Sequence, residues 1–213
     1  MKTLRSQVLL TSILIGLSLI PLYAKNGNQF LSRAMEMSAA EVRLGTMAIN
    51  KTHNTDVQAF ADMLVADYNA ALLKLMELRA ARTTVRATPE ATSVTPGTTW
   101  GTGRMHRTAS DIPITPYHQH IADWLSSTSD DLFDRRFINE IVREHREAIS
   151  LFEDQTHGSR NAVIKTDTHD AQTYSFEQLV KDLDTADFAR ATLPTLRLHL
   201  ERAEALQKQL QKR

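Results

Sequence analysis

The chain has 213 residues, of which 42% are hydrophobic, so it can bury one sizeable core and favours a single domain. Its 25 basic residues balance 25 acidic residues, which leaves no global basic field of the kind that binds nucleic acid. Cysteine is absent, which excludes disulfides, a thiolate nucleophile and a lipid attached through cysteine. Glycine (7) and proline (6) are scarce, a composition that favours helix over strand.

Residues 1–24 are predicted to form a secretory signal peptide. Lys2 and Arg5 supply a charged start, residues 8–20 are apolar, and Ala24 offers a small residue for cleavage. The apolar run is too short to span a bilayer comfortably. An uncleaved N-terminal anchor is the alternative. Either reading predicts an exported protein, periplasmic or associated with the outer membrane, whose residues 25–213 form the folded domain.

Apolar residues at three- and four-residue steps predict two long helices next. The first covers residues 26–51, and the second runs from the connection to about residue 82. Only His53-Asn54-Thr55 separates them, and Asn54 or Thr55 can cap the second helix. A connection this short predicts an antiparallel helical hairpin.

Residues 83–116 change in composition to Thr, Pro, Gly and Ser, which predicts a long, flexible surface insert. Residues 117–126 are then predicted to form a short helix that docks on the core. His118 and His120 lie there two positions apart, a spacing that does not share a helix face. We expect these two histidines to have a surface or capping role.

Two further long helices are predicted in the second half of the chain. The third begins at Asp130 or Asp131, runs to about residue 156 and ends at Gly158. Residues 159–174 are expected to form a loop, and residues 176–183 a short helical turn.

The final helix is predicted over residues 186–211, with Asp184 or Thr185 as its cap. Pro194 lies about two turns inside it and should kink it, because proline lacks a backbone N–H and clashes with the carbonyl of Arg190. We expect this bend to aim His199 toward the centre of the molecule. The whole pattern predicts an all-α protein, a ferritin-like up-down four-helix bundle with one long crossover loop.

Each long helix places one ionisable side chain on its apolar stripe: Glu41, Asp67, His145 and His199. A charge in a dry core is costly unless it is paired or coordinated. If the helices alternate in direction, these four side chains lie at similar depths and suit a divalent ion such as zinc, iron or manganese. A metal-free polar network, or placement at the stripe edges, is the alternative.

The sequence argues against a standard di-iron centre, which needs Glu-x-x-His on two helices. Val142 and Leu196 stand three positions before the two stripe histidines. We expect Tyr68 to pack at the rim or to donate a hydrogen bond to Asp67 or to a partner helix. Glu144 should be solvated, because it points about 100° away from its neighbouring histidine. No serine elbow, glycine-rich phosphate loop or His-Glu-x-x-His helix is present.

A family resemblance extends over all four long helices, in the segments Ala40 to Gly45, Val57 to Ala61, Met63 to Tyr68, Phe133 to Phe137, His145 to Glu153, and Ala191 to Leu196 with His199. These segments resemble a bacterial family of exported proteins, often labelled outer membrane proteins and assigned a domain of unknown function. The resemblance implies a ferritin-like four-helix bundle beyond the inner membrane. Members usually have a histidine directly after the acid of the second helix, where this chain has Tyr68, and the change removes one potential ligand.

Three functions remain open at this point. The first is a non-enzymatic structural or stress-related binding protein of the envelope. The second is a ferritin-like metal protein with a redox or storage role. The third is a peripheral membrane or partner-binding module that acts through its long loops. Nucleic acid is not expected as a partner.

Overall fold

A computed structural model describes residues 27–84, 108–165 and 176–212. The predicted signal peptide and most of the predicted loop insert lie outside these ranges. Within them the chain is all-α and contains no strand. The helices are α1 (Gly27–Lys51), α2 (Thr55–Thr84), α3 (Pro116–Ser126), α4 (Asp130–Lys165) and α5 (Phe176–Gln211), with one 3-10 turn (Ala109–Asp111) before α3.

The four long helices form a bundle in which α1 packs closely on α2, and α4 packs closely on α5. Contacts at both ends show that α1 and α4 are antiparallel. The rings of Phe30, early in α1, and Phe152, late in α4, are 5.1 Å apart. Thr52, just after α1, donates a hydrogen bond of 2.5 Å to Asp134, near the start of α4.

Helices α2 and α5 are antiparallel as well. Gln209 Nε2 bonds to Asp56 Oδ2 at 3.0 Å at one end, and Arg82 Nη2 bonds to Thr185 Oγ1 at 3.4 Å at the other. Helix α2 is also antiparallel to α1, because Arg82 near the end of α2 bonds to Asn28 at the start of α1 at 3.1 Å. Helices α2 and α4 therefore point the same way, and the connection between them must cross the length of the bundle. The predicted all-α bundle with one long crossover is confirmed.

Helix α3 belongs to this crossover and lies against α1 and α4. Thr115 caps its N-terminus by accepting a hydrogen bond from the backbone N–H of His118, and Pro116 occupies the first turn. At its other end, Lys51 Nζ donates to the carbonyl of Ser126 at 2.7 Å and to that of Thr128 at 2.5 Å. A lysine at the end of α1 thus neutralises the partial negative charge at the end of α3.

Two predicted helix boundaries are wrong. Helix α4 continues through Gly158 to Lys165, and α5 begins at Phe176 rather than at residue 186. A glycine inside a helix costs only about 1 kcal/mol relative to alanine, which a long helix packed on its neighbour tolerates. Thr185 does not cap α5 but lies within it, fully buried, and accepts a hydrogen bond from Gln155 Nε2 at 2.9 Å.

The core lies between the two hairpins, and α1 and α2 approach closely at Gly45. A methyl group added at Gly45 would lie 2.8 Å from Val65 Cγ2 and 3.4 Å from the carbonyl oxygen of Ala61. The absence of a side chain therefore sets this crossing. None of the helices described here has a stretch long and apolar enough to cross a membrane. The largest fully buried apolar side chains are Phe30, Phe133, Phe137, Leu31, Leu44, Leu64, Leu72, Leu75, Leu125, Ile138 and Ile141.

Candidate functional site

Polar side chains from all four long helices meet in the middle of the bundle. We call Glu41 on α1, Tyr68 on α2, His145 on α4 and His199 on α5 the polar layer. None of these four residues is more than 7% exposed. Asp67 on α2 adjoins the layer with a side chain that is 45% exposed, so it forms the solvent end.

His145 is bonded through both ring nitrogens. Its Nδ1 lies 2.9 Å from the backbone carbonyl of Ile141, which can only accept, so Nδ1 carries the proton. Nε2 then accepts a hydrogen bond of 3.1 Å from the hydroxyl of Tyr68. Burial, reinforced by the nearby His199, lowers the pKa of His145 to about 4. The imidazole is therefore neutral at physiological pH.

His199 is fixed by Asp67. Its Nε2 donates a hydrogen bond of 2.8 Å to Asp67 Oδ2, while Nδ1 is buried without a hydrogen-bond partner. Its ring lies 5.4 Å from the ring of His145 and 5.9 Å from that of Tyr68, centroid to centroid. Burial lowers the pKa of His199, although the hydrogen bond and charge of Asp67 oppose this shift.

Glu41 completes the layer on the far side of His145. Its Oε1 is 3.6 Å from His145 Nδ1, which is too long for a hydrogen bond. Its Oε2 is buried without a partner. Burial, with added repulsion from Glu144 and Glu140, raises the pKa of Glu41 well above its usual value. The neutral acid is therefore favoured in this dry environment.

A second group of charges, which we call the outer cluster, lies between α3 and α4 and comprises Tyr117, His118, Glu140, Arg143 and Glu144. His118 Nε2 is 3.2 Å from Glu144 Oε2, and Tyr117 donates to Glu140 at 3.1 Å. Arg143 pairs with both glutamates.

Two carboxyl groups of the outer cluster are shifted in opposite directions. Burial, followed by the charges of Glu144 and Glu147, raises the pKa of Glu140 to about 7. Burial also raises the pKa of Glu144, but the hydrogen bond and charge of His118, with help from Arg143, outweigh it and lower the net value.

The outer cluster corrects two expectations. Glu144, predicted to be solvated, is only 3% exposed. His118, expected to have a surface or capping role, is 7% exposed and so is not at the surface, but it does take part in the cap of α3, because its backbone N–H donates to Thr115 at 3.2 Å. Both are covered because α3 packs over a face of α4 that a simple four-helix bundle would leave in water. His120 is exposed, as expected. The Thr115-Pro116 helix start was a signal that could have placed His118 in the first turn of α3.

The predicted metal ligands are brought together, but as two pairs. Tyr68, which lies deeper than the predicted rim position, contacts both histidines and stands between Glu41–His145 and Asp67–His199. Among the residues described, no three His, Asp or Glu side chains are arranged to hold a metal ion. For His145 to bind a metal ion, one ring nitrogen would have to break its hydrogen bond, either to Tyr68 or to the carbonyl of Ile141. The metal site stays a prediction.

Asp67 also lines an open groove of about 630 Å³ between α2 and α5. The hydrogen bond between Asp67 and His199 connects this groove with the polar layer. Its other lining residues are Ala70, Ala71, Lys74, Leu78, Asp184, Asp187, Phe188, Ala191, Thr192 and Thr195.

The fold and the site define an all-α bundle protein with an internal polar layer. The chain belongs to the family described as "Domain of unknown function (DUF4142)", which matches residues 21–174. The match covers α1 to α4 and stops before α5, the helix that contributes His199. No curated protein and no solved structure matches the chain.

Proposed function

We propose that this protein is an exported, ferritin-like helical bundle that serves as a non-enzymatic structural or binding protein of the cell envelope. The charged start and apolar run of residues 1–24 support export. The antiparallel arrangement with one long crossover supports the ferritin-like relationship, since that connectivity is found in ferritin-like folds.

One observation supports the non-enzymatic reading: the ionisable groups at the centre, Glu41, His145 and His199, are closed to solvent. His145 is fully buried with both ring nitrogens bonded, and His199 is 1% exposed. General acid–base catalysis needs such a group within hydrogen-bond reach of a substrate. Solvent reaches Asp67, which lines an open groove, and this arrangement suits binding.

The test of this proposal is location. The full-length protein, expressed in a Gram-negative host without a tag, should appear in the periplasmic or outer-membrane fraction in a shortened form. A version that begins at residue 25, behind a new initiator methionine, should stay in the cytoplasm. Retention of the full-length protein in the cytoplasm would overturn the export part of the proposal.

A metal-binding bundle with a redox or storage role is the second candidate. Its support is the pair of buried polar atoms without partners, Glu41 Oε2 and His199 Nδ1, since such atoms are rare unless an ion or water completes them. Glu41, Asp67, His145 and His199 would be its ligands.

Metal analysis separates the two candidates. Untagged protein that contains stoichiometric zinc, iron or manganese, and loses it in a His145→Ala/His199→Ala double variant, would favour the second. Metal-free protein that takes up none of these ions when they are added would eliminate it. A His53→Ala/His120→Ala variant, with both substitutions at exposed positions, is the matched control.

A further inference from the structure

Thr115, His118 and Glu144 form a continuous chain of hydrogen bonds at the edge of the outer cluster. Thr115 Oγ1 lies 2.7 Å from His118 Nδ1, and His118 Nε2 lies 3.2 Å from Glu144 Oε2. A hydroxyl, an imidazole and a carboxylate in this order are the groups that activate an oxygen nucleophile in many proteins. All three lie outside the polar layer.

The direction of the two hydrogen bonds follows from the state of Glu144. Burial opposes ionisation, but the hydrogen bond and charge of His118, followed by Arg143, outweigh it and lower the pKa of this carboxyl group. An ionised carboxylate can only accept, so Nε2 carries the proton in the neutral imidazole. Nδ1 then offers a lone pair, and the Thr115 hydroxyl donates to it. His118 is thereby held in the tautomer that a general base requires.

The hydroxyl lies where an outside molecule can reach it. Thr115 is partly exposed, and the next two residues, Pro116 and Tyr117, are exposed. In contrast, His118 and Glu144 are no more than 7% exposed. A buried base and a buried carboxylate therefore stand behind a nucleophile at the surface, whereas the ionisable groups of the polar layer are closed to solvent.

The first turn of α3 holds the oxygen of Thr115 in place. Oγ1 accepts a hydrogen bond of 3.2 Å from the backbone N–H of His118. This N–H and the partial positive charge of the helix N-terminus favour negative charge on the oxygen, which lowers the cost of removing its proton. The cap that starts the helix thus also prepares the hydroxyl for reaction.

We infer that Thr115 is an acylation site that reacts with an activated acyl donor, an ester or thioester with a weakly basic leaving group. A bond forms between Thr115 Oγ1 and the carbonyl carbon of the donor while the hydroxyl proton passes to His118 Nδ1. The bond from that carbon to the leaving group then breaks, and the leaving group takes the proton from His118.

The product is a threonine ester. Its alkoxide is a much poorer leaving group than that of the donor, so the acyl group stays on the protein. The reaction is therefore a single self-modification without turnover. It goes beyond the proposed envelope role and does not rest on it.

Reaction of the untagged protein with 4-nitrophenyl acetate tests the inference, because 4-nitrophenolate is a weakly basic and coloured leaving group. We expect a burst of one 4-nitrophenolate per chain, followed by little further release. Peptide mass spectrometry should then find one acetyl group on Thr115. His118→Ala should slow the burst roughly a hundredfold, the lower range for a general base.

Two substitutions at Thr115 separate its reactivity from helix capping. Thr115→Asn keeps an N-cap side chain but has no hydroxyl, so it should abolish the burst while α3 stays folded. Thr115→Ser keeps both properties and should still be acetylated. His120→Ala is the matched control for His118→Ala, because His120 is an exposed histidine of the same helix.

Three outcomes would overturn the inference. They are a burst that Thr115→Asn retains, an acetyl group on His118 or on lysines in place of Thr115, and equal burst rates in the wild type and His118→Ala. Fractionation tests the envelope role separately, so either idea can fail without the other.

Discussion

At the scale of single residues, the hydrogen bonds of His145 determine its chemistry. The carbonyl of Ile141 fixes the proton on Nδ1, and Tyr68 donates to Nε2. Protonating Nε2 would place a positive charge in a dry core and would require the Tyr68 hydroxyl to turn and accept instead of donating. The neutral form is therefore favoured by the burial of the ring and by its two hydrogen bonds.

This arrangement predicts a pH-dependent cost for His145→Gln. The pKa of His145 is about 4 in the folded protein and about 6.5 in the unfolded chain. Between these values the unfolded chain binds more protons, so the wild type loses about 3 kcal/mol of stability through this group as the pH falls from 7 to 4. Glutamine does not titrate. The destabilisation caused by His145→Gln should therefore be about 3 kcal/mol smaller at pH 4 than at pH 7.

Urea unfolding of both proteins at several pH values measures this difference. The raised pKa of Glu41 acts in the opposite direction, because its stabilising contribution is lost as the pH rises above its unfolded value, but it should largely cancel in the comparison. Exposed His120→Gln should cost little at any pH. A pH-independent cost for His145→Gln would contradict the prediction.

Sequence periodicity identified the buried residues of this layer but not their partners. Glu41, His145 and His199 lie on inward stripes as predicted, since a stripe position depends only on helical spacing. Asp67, predicted on the same basis, has a side chain that is 45% exposed. The contact of Tyr68 with His145 is harder to predict, because the hydroxyl reaches the ring only at a particular distance and axial register between α2 and α4. A residue's contacts across a bundle are a tertiary property that local pattern does not carry.

At the scale of the helices, α1, α2 and α3 begin and end within about two residues of their predicted limits. Their boundaries coincide with strong local signals such as the Asn54 and Thr115 caps. Helices α4 and α5 are longer than predicted. The sequence pattern indicates a helix end at Gly158 and a helix start at Thr185, and both positions lie inside helices. Thr185 is buried against α4 and accepts a hydrogen bond from Gln155, so it does not act as a cap.

Pro194 lies within α5, which continues past it to Gln211. The predicted kink leads to a test. Pro194→Ala restores a backbone hydrogen bond and should stabilise the helix by up to about 3 kcal/mol. If the bend positions His199, the gain should be clearly smaller, because straightening α5 weakens the bond between His199 and Asp67.

Unfolding measurements and the His199 imidazole resonances in NMR spectra test this together. We expect a partial gain in stability and a shifted His199 signal. Exposed Thr195→Ala, one position later, is the control and should leave that signal in place. A full gain with an unchanged His199 signal would show that the proline does not aim the histidine.

At the scale of the whole molecule, the class and connectivity could be predicted from helix lengths and loop lengths alone. A three-residue connection forces a hairpin, and a long one permits a crossover. The placement of α3 could not be predicted, because a short helix leaves open which face of the bundle it covers. The burial of His118 and Glu144 depends on that placement and was missed with it.

Lys51 of α1 holds the end of α3 in place, so we expect Lys51→Met to loosen α3. Its ammonium group is hydrogen-bonded to carbonyls at the end of α3, and hydrogen bonds to charged groups contribute about 1.5–3 kcal/mol. Hydrogen exchange should therefore speed up in α3 before it does in α1 or α2. Lys74→Met, which removes an exposed lysine, is the control. Uniform acceleration across all helices would contradict a local role.

The polar layer has one further consequence. Apolar helices can slide past one another by a turn, about 5.4 Å, with little change in buried area. Here such a slip would strand a histidine, a phenol and a carboxyl group against aliphatic neighbours at once. The layer therefore fixes the axial register of the four helices, at some cost in stability compared with an all-apolar core.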